Sequence, residues 1–261
     1  MSTRILVKLG GTLLDAPESR HRLAREISDL ANSGAHVTVV HGGGKQMTRF
    51  LTERGVESRF VNGLRVSTPD VIDAVLKVLA GTVNHELVAA LVAAGSRAIG
   101  LSGLDASLTI AERINDELGA VGRPIRSNPA ILHLLVEHGY LPVVACIGGG
   151  ENGEIFNVNA DQMAVGCAAG FRADRLYFLT DVDGVRDETG TIAPVLTPAD
   201  IQRLISNGTA TGGMQAKLES ALAALNGGVG EILIAPGQRS GIVASLTAGD
   251  HVGTRIVRDT A

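Results

Sequence analysis

Short apolar runs alternate along the chain with longer segments whose apolar residues recur every three or four positions. Residues 4–9, 37–40, 96–101, 140–147, 175–179, 231–235 and 254–257 are runs of the first kind, rich in Val, Ile and Leu. Their length and their glycine or polar ends predict strands buried on both faces. Between them lie helical patterns. Leu23, Ile27 and Leu30 share one face of a helix stopped by Gly34. A second helix covers 46–53 with Met47 and Leu51 inward. Thr68 followed by Pro69 is an N-cap with Pro at the first helical position, opening a helix that runs to about residue 94 with Gly81 inside it. Further helices are predicted over 128–137, after Asn159, after the capping box Thr197-Pro198-Ala199-Asp200, and after Gly212-Gly213.

The remaining polar stretches read as turns and small β features. Residues 56–67 form a hairpin turning at Asn62-Gly63, and 148–153 form another. Residues 108–126 alternate around glycines as a β excursion at one end of the molecule. Strand and helix in alternation predict the α/β class: a three-layer αβα sandwich around a mainly parallel sheet, with two lobes sharing one continuous sheet. The lobe boundary is expected near residue 174, giving lobes of residues 1–174 and 175–261.

Composition narrows the class. In 261 residues, 45% are hydrophobic and 19% charged, which excludes an intrinsically disordered chain. A net charge of −4 without a basic cluster argues against nucleic acid as a partner. Cys146 and Cys167 stand alone in apolar runs and read as buried core residues in a reducing compartment. No apolar segment is expected to span a membrane and no signal-peptide pattern opens the chain, so a soluble cytoplasmic protein is expected. Glycine is abundant, at 33 residues, and this is the feature that bears on chemistry.

Val39-Val40-His41-Gly42-Gly43-Gly44-Lys45 carries a strand into three glycines and then a helix. Backbone amides and a helix N-terminus there favour an anion. It is not a Walker A loop: Val39 stands where the first glycine is needed and Gln46 where the Ser or Thr is needed. Gly148-Gly149-Gly150-Glu151-Asn152-Gly153 fits G-x-G-x-x-G, but the alternating 154–158 segment after it is a strand, so no dinucleotide fingerprint is present. Lys8 is a lone cation near the end of an apolar strand beside Gly10-Gly11, where open α/β sheets bind ligands. Arg65, just past the hairpin turn, is either a surface arginine or a carboxylate clamp. Asn157, Asn159 and Asp161 crowd one helix entry, and capping accounts for one of them only. Residues 180–185 resemble a calcium loop superficially, since Gly184 falls at the fourth position rather than the sixth. Lys217, placed in the first turn of its helix, opposes the helix dipole and points to a phosphate nearby.

Taken together, V-K-L-G-G at 7–11, H-G-G-G at 41–44, N-G-L-R-V at 62–66, N-V-N-A-D at 157–161, T-D-V-D-G-V at 180–185, G-G-M-x-x-K at 212–217 and G-T-R-I at 253–256 resemble the amino acid kinase family, in its order and from end to end. The resemblance implies ATP-dependent phosphorylation of the side-chain carboxylate of N-acetyl-L-glutamate, with the acyl amino acid in the first lobe and ATP in the second. Lys8 and Lys217 would flank the transferred phosphoryl group, and Asp161 would organise them. Gly43, Gly44, Arg65, Asn157 and Asn159 would meet the substrate. Gly10 and Gly11 would approach the ATP phosphates. Thr180, Asp181, Val182, Gly184, Val185, Thr209, Thr211, Gly212 and Met214 would line the nucleotide site. Mg²⁺ would be held mainly by phosphates and water, with no protein metal site.

The chemistry suits these residue types. A carboxylate nucleophile of pKa ~4.3 is ionised at neutral pH, so the need is charge neutralisation and positioning rather than a general base. His41 is then structural. Leu104 and Ala106 depart from the family's usual Lys and Gly, which bears on the lip of the substrate pocket. A sister kinase acting on N-acetyl-aminoadipate or a carrier-linked acyl amino acid is therefore an alternative. A non-catalytic sensor is a more remote one, since both lysines are kept. By resemblance the protein is a homodimer. With Lys8 almost at the start and no N-terminal helical extension before it, arginine inhibition is not expected.

Overall fold

The computed structural model describes residues 2–258. Its strands are β1 (Arg4–Leu9), β2 (His36–His41), β3 (Phe60–Val61), β4 (Leu64–Arg65), β5 (Ala98–Ser102), β6 (Thr109–Arg113), β7 (Val121–Ser127), β8 (Leu141–Ala145), β9 (Ile147–Gly149), β10 (Ile155–Val158), β11 (Arg175–Thr180), β12 (Val195–Leu196), β13 (Glu231–Pro236) and β14 (Thr254–Ile256). Eight of them form one sheet in the order β12-β14-β13-β11-β1-β2-β8-β5. From β13 to β5 every pairing is parallel, and only β14 runs antiparallel to its neighbour β13. Helices Pro17–Asn32, Pro69–Ala93 and Ile242–Ala248 cover one face; Ala130–Glu137, Ala160–Phe171 and Gly212–Asn226 cover the other. The expected three-layer α/β arrangement with one continuous sheet is what the chain adopts.

β1 explains the sheet's strength at the centre. Leu6, Val7 and Leu9 are fully buried because helices press on both faces, so no polar alternation is needed. Lys8 breaks that run near its carboxyl end, in register with Val40 on β2 and Phe178 on β11. A tight four-stranded barrel of β6, β7, β9 and β10 sits at one end. Gly122 is required in it, since a Cβ there would stand 2.5 Å from the Phe156 Cβ. The β3–β4 hairpin turns at Asn62 and Gly63, both at positive φ (49° and 77°), as a two-residue loop of this kind demands.

The structure corrects several sequence expectations. Helix 44–53 opens at Gly44, two residues before its expected start. The helix after Thr211 begins at Gly212, which puts Lys217 in the second turn, where the dipole argument loses force. β12 and helix Ile242–Ala248 carry no expectation from the sequence. One helix bears on the expectation that no apolar segment spans a membrane. Within the 25 residues of helix Pro69–Ala93 an 18-residue stretch has a mean hydropathy of 1.5, enough by length and composition. It lies against the sheet, burying Val71, Val75, Val78, Leu79, Leu87 and Leu91. Its middle, Leu76–Val83, is wound as a π-helix, and Asn84 follows. The Asn84 amide donates to the Val143 carbonyl (2.9 Å) and meets His41 Nε2 (3.0 Å), joining the helix to β8 and β2 through buried polar atoms. A helix so committed is a core helix.

Candidate active site

Two glycine turns and two helix starts converge at the carboxyl ends of β1, β2 and β11. Gly10 donates its amide to the Leu179 carbonyl (3.1 Å), so β1 stays tied to β11 beyond the strand itself. Gly11 then touches the second turn: a Cβ on it would lie 2.9 Å from the Gly44 amide nitrogen and 3.0 Å from the Gly43 Cα. Gly44 faces open space. Gly43 is glycine for another reason, because a Cβ there would meet the Leu79 Cδ2 at 2.5 Å. Packing thus explains Gly43, while Gly44 is the member of the triplet that opens on a pocket. Gln46 donates to the Gly11 carbonyl (3.3 Å) and spans the two turns.

At the end of β1 the Lys8 ammonium lies 2.7 Å from Asp161 Oδ1. Lys217, from a helix on the far side of β11, donates to Asp161 Oδ2, also at 2.7 Å. All three side chains are at most 16% exposed. Asn159 explains how Asp161 is delivered: it caps helix Ala160–Phe171, accepting from the amides of Asp161 and Gln162 through Oδ1 (2.9 and 3.2 Å). The carboxylate thus sits in the helix's first turn, where the dipole also favours it. Burial works against its charge, but the two lysines outweigh burial and hold its pKa at about 2. Burial and the neighbouring Lys8 push Lys217 below its ordinary value, opposed by Asp161 and Asp181. Asp161 alone is in direct contact with both ammonium groups, and Asp181 acts on Lys217 from further off.

Arg65, 9% exposed, is not a surface arginine. Its guanidinium donates to Thr48 Oγ1 (2.8 Å), the Gly44 carbonyl (3.2 Å) and Ser58 Oγ, and stacks 4.6 Å from the Phe60 ring centre. With Gly11, Thr12, Gly44, Lys45 and Thr48 it lines a cavity of about 660 Å³. Ser67 Oγ donates to the Arg65 carbonyl (2.9 Å) and accepts from the Asn157 amide (3.0 Å), linking two predicted residues through one the sequence did not flag. Thr48 and Ser58 escaped notice likewise, since a hydroxyl i+4 from a glycine or within a loop leaves no pattern.

A larger cavity of about 1180 Å³ takes walls from both halves of the chain. Asn62 to Leu64, Arg123, Asn159, Asp161 and Gln162 come from the first half. Thr180, Asp181, Val182, Gly212, Gly213, Met214 and Lys217 come from the second. Other predicted nucleotide residues stand elsewhere. Thr209 and Thr211 form the turn before the helix, outside the cavity lining. Val185 is buried, its amide donating to Thr254 Oγ1 (2.8 Å), and Gly184 packs on Ile192 and Thr254. Leu104, partly buried against the core, faces Gly149, and Ala106 is exposed; neither is among the residues lining the two cavities described above. His41 is fully buried with Nδ1 on the Gly42 carbonyl (3.0 Å), away from any cavity, as a structural residue should be. Burial raises the Cys146 and Cys167 thiols to about 11 and about 12, which leaves them inert. Among the described residues no group of three or more His, Cys, Asp or Glu gathers as a metal site.

Asp161 thus joins a lysine from β1 to a lysine from the second half of the chain at the sheet's carboxyl edge, and with Lys217 it lines the larger cavity. Residues 3–236 match the model of the amino acid kinase family, and the chain belongs to that family. Among curated proteins it is 60% identical over 254 residues to an acetylglutamate kinase of Solibacter usitatus, covering 97% of this chain and 99% of that one. It is 40% identical to an acetylglutamate kinase of Ruegeria pomeroyi, over 98% and 89% of the two chains. Among solved structures, N-acetylglutamate synthase of Neisseria gonorrhoeae, complexed with coenzyme A and N-acetyl-glutamate, superposes with a TM-score of 0.88 at 26% identity. The match covers 99% of this chain but 60% of the synthase chain.

Proposed function

We infer that the chain uses ATP to phosphorylate the side-chain carboxylate of N-acetyl-L-glutamate, giving N-acetyl-L-glutamyl 5-phosphate. The observation that carries this reading is the pair of ammonium groups, each 2.7 Å from one oxygen of Asp161 and drawn from separate parts of the chain. In this reading the cavity at Gly44 and Arg65 takes the acyl amino acid, with Arg65 on its α-carboxylate, while Gly11 at its edge approaches the ATP phosphates. Asn157, held on Ser67 outside both described cavities, would have to turn from it to meet the amide or α-substituent. The larger cavity beside Thr180, Asp181, Gly212 and Met214 takes ATP. The substrate then belongs mainly to residues 1–174 and the nucleotide mainly to 175–261, with the reacting atoms between them.

The mechanism follows from charge. The substrate carboxylate is already ionised, so no base is called for. Its oxygen forms the new bond to phosphorus in line with the breaking bond to the departing ADP oxygen. Lys8 and Lys217 neutralise the developing charge, the Gly11 and Gly44 amides orient oxygens, and Asp161 holds both ammonium groups in place. No protein carboxylate cluster is gathered for a metal among the described residues, so Mg²⁺ would come in on the nucleotide and would supply further charge neutralisation. We also propose that the protein is a cytoplasmic homodimer. The dimer is supported by the unpaired edge of β5, with exposed Val92 from a helix on one face and exposed Leu134 from a helix on the other.

ADP release with Mg-ATP and N-acetyl-L-glutamate, N-acetyl-aminoadipate, free glutamate or UMP tests the reading. Turnover is expected with N-acetyl-L-glutamate, and Lys8→Ala and Lys217→Ala should each lose ~10²–10³ in kcat. Preference for N-acetyl-aminoadipate would replace the substrate, and nucleotide binding without any turnover would replace the activity.

A further inference from the structure

Helix Pro17–Asn32 belongs to the first half of the chain, yet two of its side chains reach the segment that follows β13. Arg22 donates through Nη2 to the Gly237 carbonyl and through Nη1 to the Arg239 carbonyl (3.0 Å). Glu26, one turn on and 2.9 Å from the same guanidinium, accepts the Gly241 amide at Oε1 and the Val243 amide at Oε2, both at 3.0 Å. A single carboxylate thus caps helix Ile242–Ala248 with both oxygens. The side chains are only 19% and 13% exposed, so these contacts are poorly screened.

The segment so held is not remote from the chemistry. The Gly237 amide donates to the Thr180 carbonyl (2.8 Å), and Gly237 lies under Leu13, where a Cβ would come within 2.3 Å of Leu13 Cδ1. Thr180 and Asp181 line the larger cavity together with Lys217. Pro236, Gln238 and Arg239 line a second hollow on the other side of Asp181. The carboxyl end of β11 is therefore gripped from the β1 side by the Gly10 amide and from the β13 side by the Gly237 amide. The second grip depends on where residue 237 is held.

We propose that Arg22 and Glu26 are positioning residues for nucleotide binding: they fix the 237–243 segment, and through the Gly237 amide they set where Thr180 and Asp181 stand. The proposal rests on the reading that the larger cavity takes ATP. It assigns to two helical side chains in the acyl-amino-acid half a control over affinity for the other substrate.

The test is a split of constants. Wild type, Glu26→Ala, Arg22→Ala and the control Lys77→Ala, which breaks only an exposed pair with Asp73, are compared in steady-state assays and by calorimetric titration with ADP. Glu26→Ala and Arg22→Ala should raise the Mg-ATP KM and the ADP Kd about tenfold while the acyl amino acid KM stays within about twofold. Glu26→Gln, which keeps the shape and one acceptor, should fall between. Unchanged nucleotide constants, or equal shifts in both KM values, would overturn the proposal. If Glu26→Ala does not fold, Arg22→Ala, which leaves the helix cap in place, decides by the same constants. If the wild type binds ADP but phosphorylates no acyl amino acid, the activity reading fails and the titrations still decide the clamp.

Discussion

Protonating His41 breaks a buried chain of hydrogen bonds, because Nε2 is the atom that meets the Asn84 amide. Burial holds its pKa at about 4, against 6.5 in an unfolded chain. A depressed folded pKa means that the contribution is whole above pH 6.5 and is lost progressively as the pH falls toward 4. The loss is on the order of 3 kcal/mol. Asp161 adds nothing in that window, since its titration lies between 3.8 and about 2. Urea midpoints for wild type should therefore fall between pH 6.5 and 4, and the fall should be largely absent in His41→Gln, whatever that variant's stability at pH 7. Ala106 offers a second test at this scale. It sits at φ 52° and its neighbour Ser107 at 53°, a conformation that costs residues with a Cβ. Nothing in the structure explains why alanine occupies it. Ala106→Gly should stabilise the protein by about 1 kcal/mol, read as a rise in Tm without change in kcat.

The elements show where sequence reasoning succeeds and where physics hides the answer. The strands were legible because a two-sided buried strand has no choice but to be apolar. The Asn62-Gly63 hairpin was legible because only such residues take its φ values. Lys8 stands out as a lone cation in an apolar strand and Asp161 as part of a crowded helix entry, whereas the dipole signal that points to Lys217 does not survive the helix's earlier start; the fold brings the three together. Helix starts at Gly44 and Gly212 were not legible: glycine reads as a breaker, yet a first-turn residue needs no intrahelical N–H bond and tolerates it. The four-residue fit around Arg65, Thr48, Ser67 and Asn157 was equally hidden, because one of its bonds joins residues 90 positions apart. The contact of the two glycine turns yields a prediction for these elements. Gly11→Ala places a Cβ against backbone at 2.9 Å and must push the turns apart, so kcat should drop at least tenfold with the far-ultraviolet circular dichroism unchanged. Gly44→Ala meets nothing within 4 Å and should alter the acyl amino acid KM far more than Tm.

At the scale of the molecule, the proposed pairing of two chains predicts a sedimentation mass of about twice 27.0 kDa. Val92→Glu with Leu134→Glu should shift it toward one chain, since charge on apolar edge positions opposes burial. One further consequence concerns time. β1 is synthesised before both of its neighbours in the sheet, and one of them, β11, lies some 170 positions later, as the bond from the Arg4 amide to Asp174 records. At about 5–20 residues per second, roughly 10–30 s of synthesis separate the two. Throughout that interval the strand carrying Lys8 keeps an apolar edge unsatisfied. A nascent chain of this protein is therefore most in need of a chaperone along β1 during that interval, and Lys8 meets its full set of neighbours only after β11 and the helix that carries Lys217 have been made.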